Sequence, residues 1–244
     1  MDTFSPRVGE RRGGAWLRFA LALYAPAVAL LVIVAAVVKV AGIPGGVFMR
    51  DPVQTVDAPF YLGLVSNIGI LVWCTGGVIA LFAAAMLTGR PGLAEPRRFL
   101  LWSGILTLAV MLDDLLILHD KVIPDLSHLP EQGVYFIHLV VAAAYVTRFR
   151  RLIFAADRTL LVLATALMGV SLVMDQWHLL FRLTGRMILP ENYLLEDGAK
   201  FLSQITWMGY LLRRAADAVR ATNRAAREPA RPDDIAAPQE VAAG

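Results

Sequence analysis

Residues 19–38 form a run of twenty positions without a single charge. A helix of that length crosses about 30 Å of hydrocarbon, and the run is too long for the apolar core of a typical signal peptide. It predicts an uncleaved first membrane helix, kinked rather than ended at Pro26. Five more apolar segments follow, at about 60–87, 99–122, 133–146, 160–181 and 193–212, divided by turns rich in Gly, Pro and Arg. The chain is 57% hydrophobic and 18% charged, with mean hydropathy +0.60, a balance too apolar for an ordinary soluble domain. The expected fold is all-α, a polytopic membrane bundle of six transmembrane helices. Residues 1–16 read as a cytoplasmic N-terminal segment, 17–212 as the six-helix transmembrane domain, and 213–244 as a cytoplasmic tail, helical to about Arg227 and disordered beyond. Residues 42–58, with Gly42, Pro44, Gly45, Gly46 and Pro52, read as a loop.

The placement of charge fixes the orientation. Seventeen of the 23 Lys and Arg fall before the first apolar run (Arg18 included), in the second and fourth connectors and in the tail. The other six, Lys39, Arg50, Lys121, Arg182, Arg186 and Lys200, fall at the opposite ends. Positive charge stays on the cytoplasmic side, so both termini are expected in the cytoplasm and the chain in a bacterial-type inner membrane. The arginines are thereby explained without nucleic acid. The single cysteine, Cys74, excludes an intramolecular disulfide. No Walker loop, dinucleotide fingerprint or zinc-finger spacing occurs.

Against this background the expensive residues stand out. Asp113 and Asp114 are adjacent carboxylates in the outer half of the third segment, where one Asp at a helix centre costs roughly 2.5–3.5 kcal/mol. An ionisable residue at such depth is read first as functional. The topology brings partners to the same outer layer: His119 at the end of the third helix, His138 on the fourth, Asp175 and His178 on the fifth, Glu196 and Lys200 on the sixth, and Ser66 with Asn67 on the second. Ser103, Thr107, Asp114 and Lys121 form one helical stripe. Asp113 and Asp120 form another, and His119 stands about 140° from Asp114. His119 joins the group only if the helix end unwinds. Glu196 and Lys200, four residues apart, are spaced for an internal ion pair.

Asp175 and His178 have the i, i+3 spacing of a ligand pair in metal-bearing bundles. His nitrogen with carboxylate oxygen suits zinc or iron, so Asp114, His119, His138, Asp175, His178 and Glu196 are the expected ligands of a divalent metal. Asp113, Asp114 and Ser66 are the candidate catalytic residues. In residue types the set is similar to the alkaline ceramidase-like membrane hydrolases, which combine a membrane Ser, an Asp and three zinc-binding histidines; Ser66, Asp114, His119, His138 and His178 would take those roles. The chain departs from that family in having six predicted spans, not seven, and no pair of histidines four apart. The expected function is metal-dependent chemistry on a lipid-like substrate, of hydrolase or di-iron oxidase type. An ion- or proton-coupled transporter and a non-catalytic assembly subunit are the alternatives. Membrane lipid is the expected partner.

Overall fold

The computed structural model describes residues 7–49, 52–90, 92–155, 158–175 and 193–225. The chain divides into two compact units, Met1–Leu62 and Gly63–Gly244. Among the described residues all regular structure is helical.

The first unit holds α1 (Arg7–Ala41) and two one-turn helices, α2 (Gly46–Met49) and α3 (Pro52–Thr55). α1 begins about ten residues before the expected span. Arg and Glu are good helix formers and no proline intervenes before Pro26, so the basic segment continues the helix. The predicted loop at 42–58 carries α2 and α3 within it.

The second unit contains the candidate site. Its helices are α4 (Leu64–Met86), α5 (Ala94–Leu115), α6 (Ile123–Ser127), α7 (Glu131–Ala155), α8 (Thr159–Asp175) and α9 (Tyr193–Ala225). The fourth segment, too short at 133–146, is completed because α7 runs on through Arg148, Arg150 and Arg151. The last segment and its predicted extension are a single helix. The third segment departs most from expectation. α5 stops at Leu115, and a π-helical turn, Leu118–Val122, leads into α6 at a bend of 63°. One described helix, Leu64–Met86, is long and apolar enough to cross a membrane, or two if the bent pair counts as one span. Val28–Ala41 and Thr159–Asp175 are apolar but shorter.

Helix directions follow from paired residues. On α5 and α9, Thr107 meets Trp207 and, seven residues on, Asp114 meets Lys200 seven residues back, so the two run antiparallel. α7 is antiparallel to α5 by the pairs Glu95–Arg148, Ser103–Tyr145 and Asp113–His138. The α4–α5 seam is made of small residues. A Cβ on Gly104 would lie 2.6 Å from Leu81 and 2.9 Å from the Gly77 carbonyl, and one on Gly77 2.7 Å from Leu108. Backbones approach this closely only where side chains are absent. α4 buries Gly69, Gly76, Gly77, Ala80, Ala83 and Ala84 and turns Leu71, Val78 and Phe82 outward. The buried core gathers at the arginine-rich end, where Leu87, Phe99, Leu100, Phe149, Ile153 and Leu211 meet.

Candidate functional site

Four helices deliver the site. Asp113 and Asp114 sit in the last turn of α5. Adjacent residues on a helix diverge by about 100°, so the two carboxylates face different neighbours. Asp114 faces α9, where Lys200 Nζ lies 2.5 Å from its Oδ1. Asp114 Oδ2 is buried with no partner among the described residues. The structure thus gives Lys200 a partner that spacing did not name. Glu196 lies half-buried in the first turn of α9.

Asp113 faces two imidazoles. His119 Nδ1 is 2.7 Å from its Oδ2 and His138 Nε2 is 3.6 Å from the same oxygen. The His119 contact is close but out of line for a directed hydrogen bond. On its other side His119 Nε2 reaches Asp120 Oδ1 at 3.1 Å. An imidazole between two carboxylates satisfies both only with a proton on each nitrogen. Asp120 is half exposed and Asp113 nearly covered (side chains 51% and 12% exposed), so His119 links the rim to a buried carboxylate. His138 Nδ1 lies 3.1 Å from the Val134 carbonyl. A proton on Nδ1 would satisfy that oxygen and leave Nε2, facing Asp113, as the nitrogen that gains or loses a proton. Tyr135, one helical turn before His138, donates to Asp175 Oδ2 at 2.8 Å, and its ring lies 5.4 Å from that of His119.

The broken helix is what brings His119 in. Ile117 has φ 53° and ψ 42°, a left-handed conformation that a β-branched residue rarely adopts. The Val122 amide then bonds the Ile117 carbonyl across five residues. Such π turns and strained residues recur at functional sites. On an unbroken helix His119 would point far from the Asp113–Asp114 turn; here it folds back, and onto Asp113 rather than Asp114.

Asp113, Asp114, His119, His138, Asp175 and Lys200 therefore share one end of the bundle. His178 lies outside the described residues. Ser66 is exposed in the first turn of α4, and among the described residues no hydrogen bond ties it to this group. Nor, among them, do three His, Cys, Asp or Glu side chains converge on a point that would hold a metal ion. The two imidazoles surround an Asp113 oxygen, and the ammonium of Lys200 takes the cation's place beside Asp114.

A second polar ladder lies deeper in the α5–α7–α9 interface. Trp207 Nε1 donates to Thr107 Oγ1 at 2.9 Å, and Thr107 donates to the Ser103 carbonyl at 2.7 Å. Ser103 donates to the Phe99 carbonyl at 2.7 Å, so Tyr145 must donate to Ser103 at 2.6 Å. Helical spacing puts Ser103 and Thr107 on one face of α5, Lys200 and Trp207 on one face of α9 and His138 and Tyr145 on one face of α7, without saying which residue meets which. The signal was present: Lys200 and Trp207 repeat on α9 with the same seven-residue interval as Asp114 and Thr107 on α5.

Comparison with family models matches residues 11–214 to the family described as Domain of unknown function (DUF8692). The match covers most of the chain, which therefore belongs to that family. No curated protein and no solved structure matches it.

Proposed function

We propose that this member of the DUF8692 family is a multi-pass inner-membrane protein that carries out general acid–base chemistry on a lipid-like substrate near the outer face. The observation that carries the reading is one carboxylate oxygen, Asp113 Oδ2, set against two imidazoles. A carboxylate beside an imidazole orients the ring and stabilises its protonated form. His138 Nε2 is then the proton acceptor for an attacking water or hydroxyl, and His119 passes protons between Asp113 and the exposed Asp120. Lys200 offsets the charge of Asp114, so one carboxylate at the site stays available for this work. The metal-dependent form of the reading needs a further donor; His178, three residues after Asp175, is the sequence's candidate for zinc or iron.

The membrane half of the proposal is six spans with both termini cytoplasmic. It rests on the charge distribution, on α5 running opposite to α7 and α9, and on Gly and Ala turned inward while Leu71, Val78 and Phe82 face out. That is the arrangement lipid favours.

The ladder from Trp207 to Tyr145 favours a second reading, a proton relay. Its hydroxyls extend polar contacts from the Asp114 level toward the other end of α5.

Mass spectrometry of a native lipid extract incubated with purified protein tests the first reading. One lipid species should be consumed by wild type and left intact by Asp113→Asn and His138→Ala. If no lipid changes, and vesicles containing the protein conduct protons in a manner that Asp113→Asn and Thr107→Val abolish, the relay replaces the enzyme.

A further inference from the structure

Arg214 stands on α9 two heptads beyond Lys200, at the opposite end of the α5–α9 interface. Its guanidinium carbon lies 5.3 Å from the centroid of the Phe99 ring. The same ring has Tyr210 edge-on at 6.4 Å and Tyr145 stacked at 6.0 Å. The nearby carboxylate of the α5 end, Glu95, is engaged by Arg148 and Arg98, and among the described residues none pairs with Arg214. The Arg214 Nε is buried and has no acceptor among the described residues, and Nη2 makes a long contact, 3.5 Å, to the Leu152 carbonyl. One turn earlier the Tyr210 hydroxyl, on a residue 2% exposed, has no partner among the described residues either.

These groups have protons to give. Nε–H and a phenol are donors, and buried donors in folded proteins are matched by acceptors. The missing partner is therefore an acceptor, and a guanidinium without a carboxylate calls for an anionic one. The Nε–Nη2 edge is the fork that fits two oxygens of a phosphate. We propose that Arg214 and Tyr210 hold one phosphate-type oxyanion between α5, α7 and α9. The phosphate of an anionic lipid and free inorganic phosphate share this chemistry. The lipid source rests on the six-span reading, which puts this end, with Arg97, Arg98, Arg150, Arg151 and Arg213, at the cytoplasmic leaflet, where basic sites between helices bind anionic headgroups. The site itself is independent of the acid–base chemistry at the other end.

Full-length protein in detergent, examined by native mass spectrometry and by thermal melting, tests the assignment with three probes: phosphatidylglycerol, phosphatidylcholine and inorganic phosphate. Wild type should retain one phosphatidylglycerol and melt higher with it, and should ignore phosphatidylcholine. Arg214→Gln should weaken binding by about tenfold, the loss of one charge-assisted hydrogen-bonded contact. Tyr210→Phe should weaken it less, and the exposed Arg220→Gln not at all. Arg214→Lys keeps the charge and loses the fork, so it decides the matter with Tyr210→Phe if Arg214→Gln does not fold. Retention of phosphatidylglycerol against millimolar phosphate identifies a lipid site. Displacement by phosphate that alone raises the melting temperature identifies a free-anion site. Asp113→Asn should change neither result, which separates this site from the other. The assignment is overturned if neither probe stabilises wild type, or if Arg220→Gln loses as much binding as Arg214→Gln.

Discussion

Asp114 and Lys200 neutralise each other across two helices, with side chains 14% and 33% exposed. Removing one partner of such a pair leaves the other charged in a poorly solvated place, whereas removing both leaves no charge to desolvate. Asp114→Asn is therefore expected to destabilise the protein by about 3 kcal/mol. Asp114→Asn combined with Lys200→Met should recover most of that loss. Melting curves of the two single variants and the double variant, taken as a cycle, measure the coupling; additive losses would show that the pair contributes nothing beyond its members. Ile117 makes the opposite prediction. Its left-handed conformation costs a non-glycine residue roughly 1–2 kcal/mol, and half of its surface is exposed, so little packing is lost on truncation. Ile117→Gly should raise stability by about 1 kcal/mol, while Ile117→Ala, which keeps the strain, should not.

Elements were readable where a helix is regular and obscure where it breaks. The stripe of Ser103, Thr107 and Asp114 follows from helical spacing, and α5 turns it into the interface with α9. The end of α5 at Leu115 could not be read that way. Residues 99–122 contain no proline or glycine after Gly104 to announce a break, and the left-handed residue is an isoleucine. What stabilises the bend is tertiary, the contact of His119 with Asp113, and single-sequence periodicity does not register such pairing. The α4–α5 seam tests the packing at this scale. A methyl on Gly104 meets the Gly77 backbone oxygen and the Leu81 side chain, and the oxygen cannot move aside without separating the helices. Gly104→Ala should cost about 1–3 kcal/mol. Gly169, in α8, has nothing within 4 Å of its Cβ position, so Gly169→Ala should add about 0.5–1 kcal/mol through helix propensity alone. Equal effects of the two substitutions, read by chemical denaturation, would contradict the packing.

For the whole molecule, the all-helical architecture was legible from the apolar segments, the orientation drawn from the arginines is a prediction, and the side-chain pairing that makes a site was legible only in part. Depth brought Asp113, Asp114, His119 and His138 to one layer, but which carboxylate meets which base depends on helix rotation, and that is set by the glycine seam and the broken helix. The two ends of the second unit differ in kind. One holds the Asp113 group; the other holds Glu95, whose carboxyl is kept below the usual glutamate range by hydrogen bonds and charge from Arg148 and, secondarily, Arg98. A carboxyl with a lowered folded value stabilises the fold above the unfolded glutamate value, about 4.3, and that contribution disappears as pH falls through the folded value. Acid melting of wild type and Glu95→Gln should therefore converge as pH falls below the unfolded glutamate value, about 4.3, and through the lower folded one. The orientation itself is tested by reporter fusions. Six spans with both ends inside place residues 90, 151 and 227 in the cytoplasm and residues 42–58, 124–131 and 184–191 on the outer side. The decisive segment is 124–131, because α6 follows the 63° bend. A bend of that size carries the chain sideways and can either complete a span or turn it back. If the third segment crosses, a fusion in 124–131 reports the outer side and residues 151 and 90 agree in reporting the cytoplasm. If α5 and α6 form a re-entrant pair, the same fusion reports the cytoplasm, every later span reverses, and residue 151 reports the outer side despite Arg148, Arg150 and Arg151. That outcome would put Arg-rich ends where positive charge is disfavoured and would move the Asp113 group away from the outer face, taking the proposed chemistry with it.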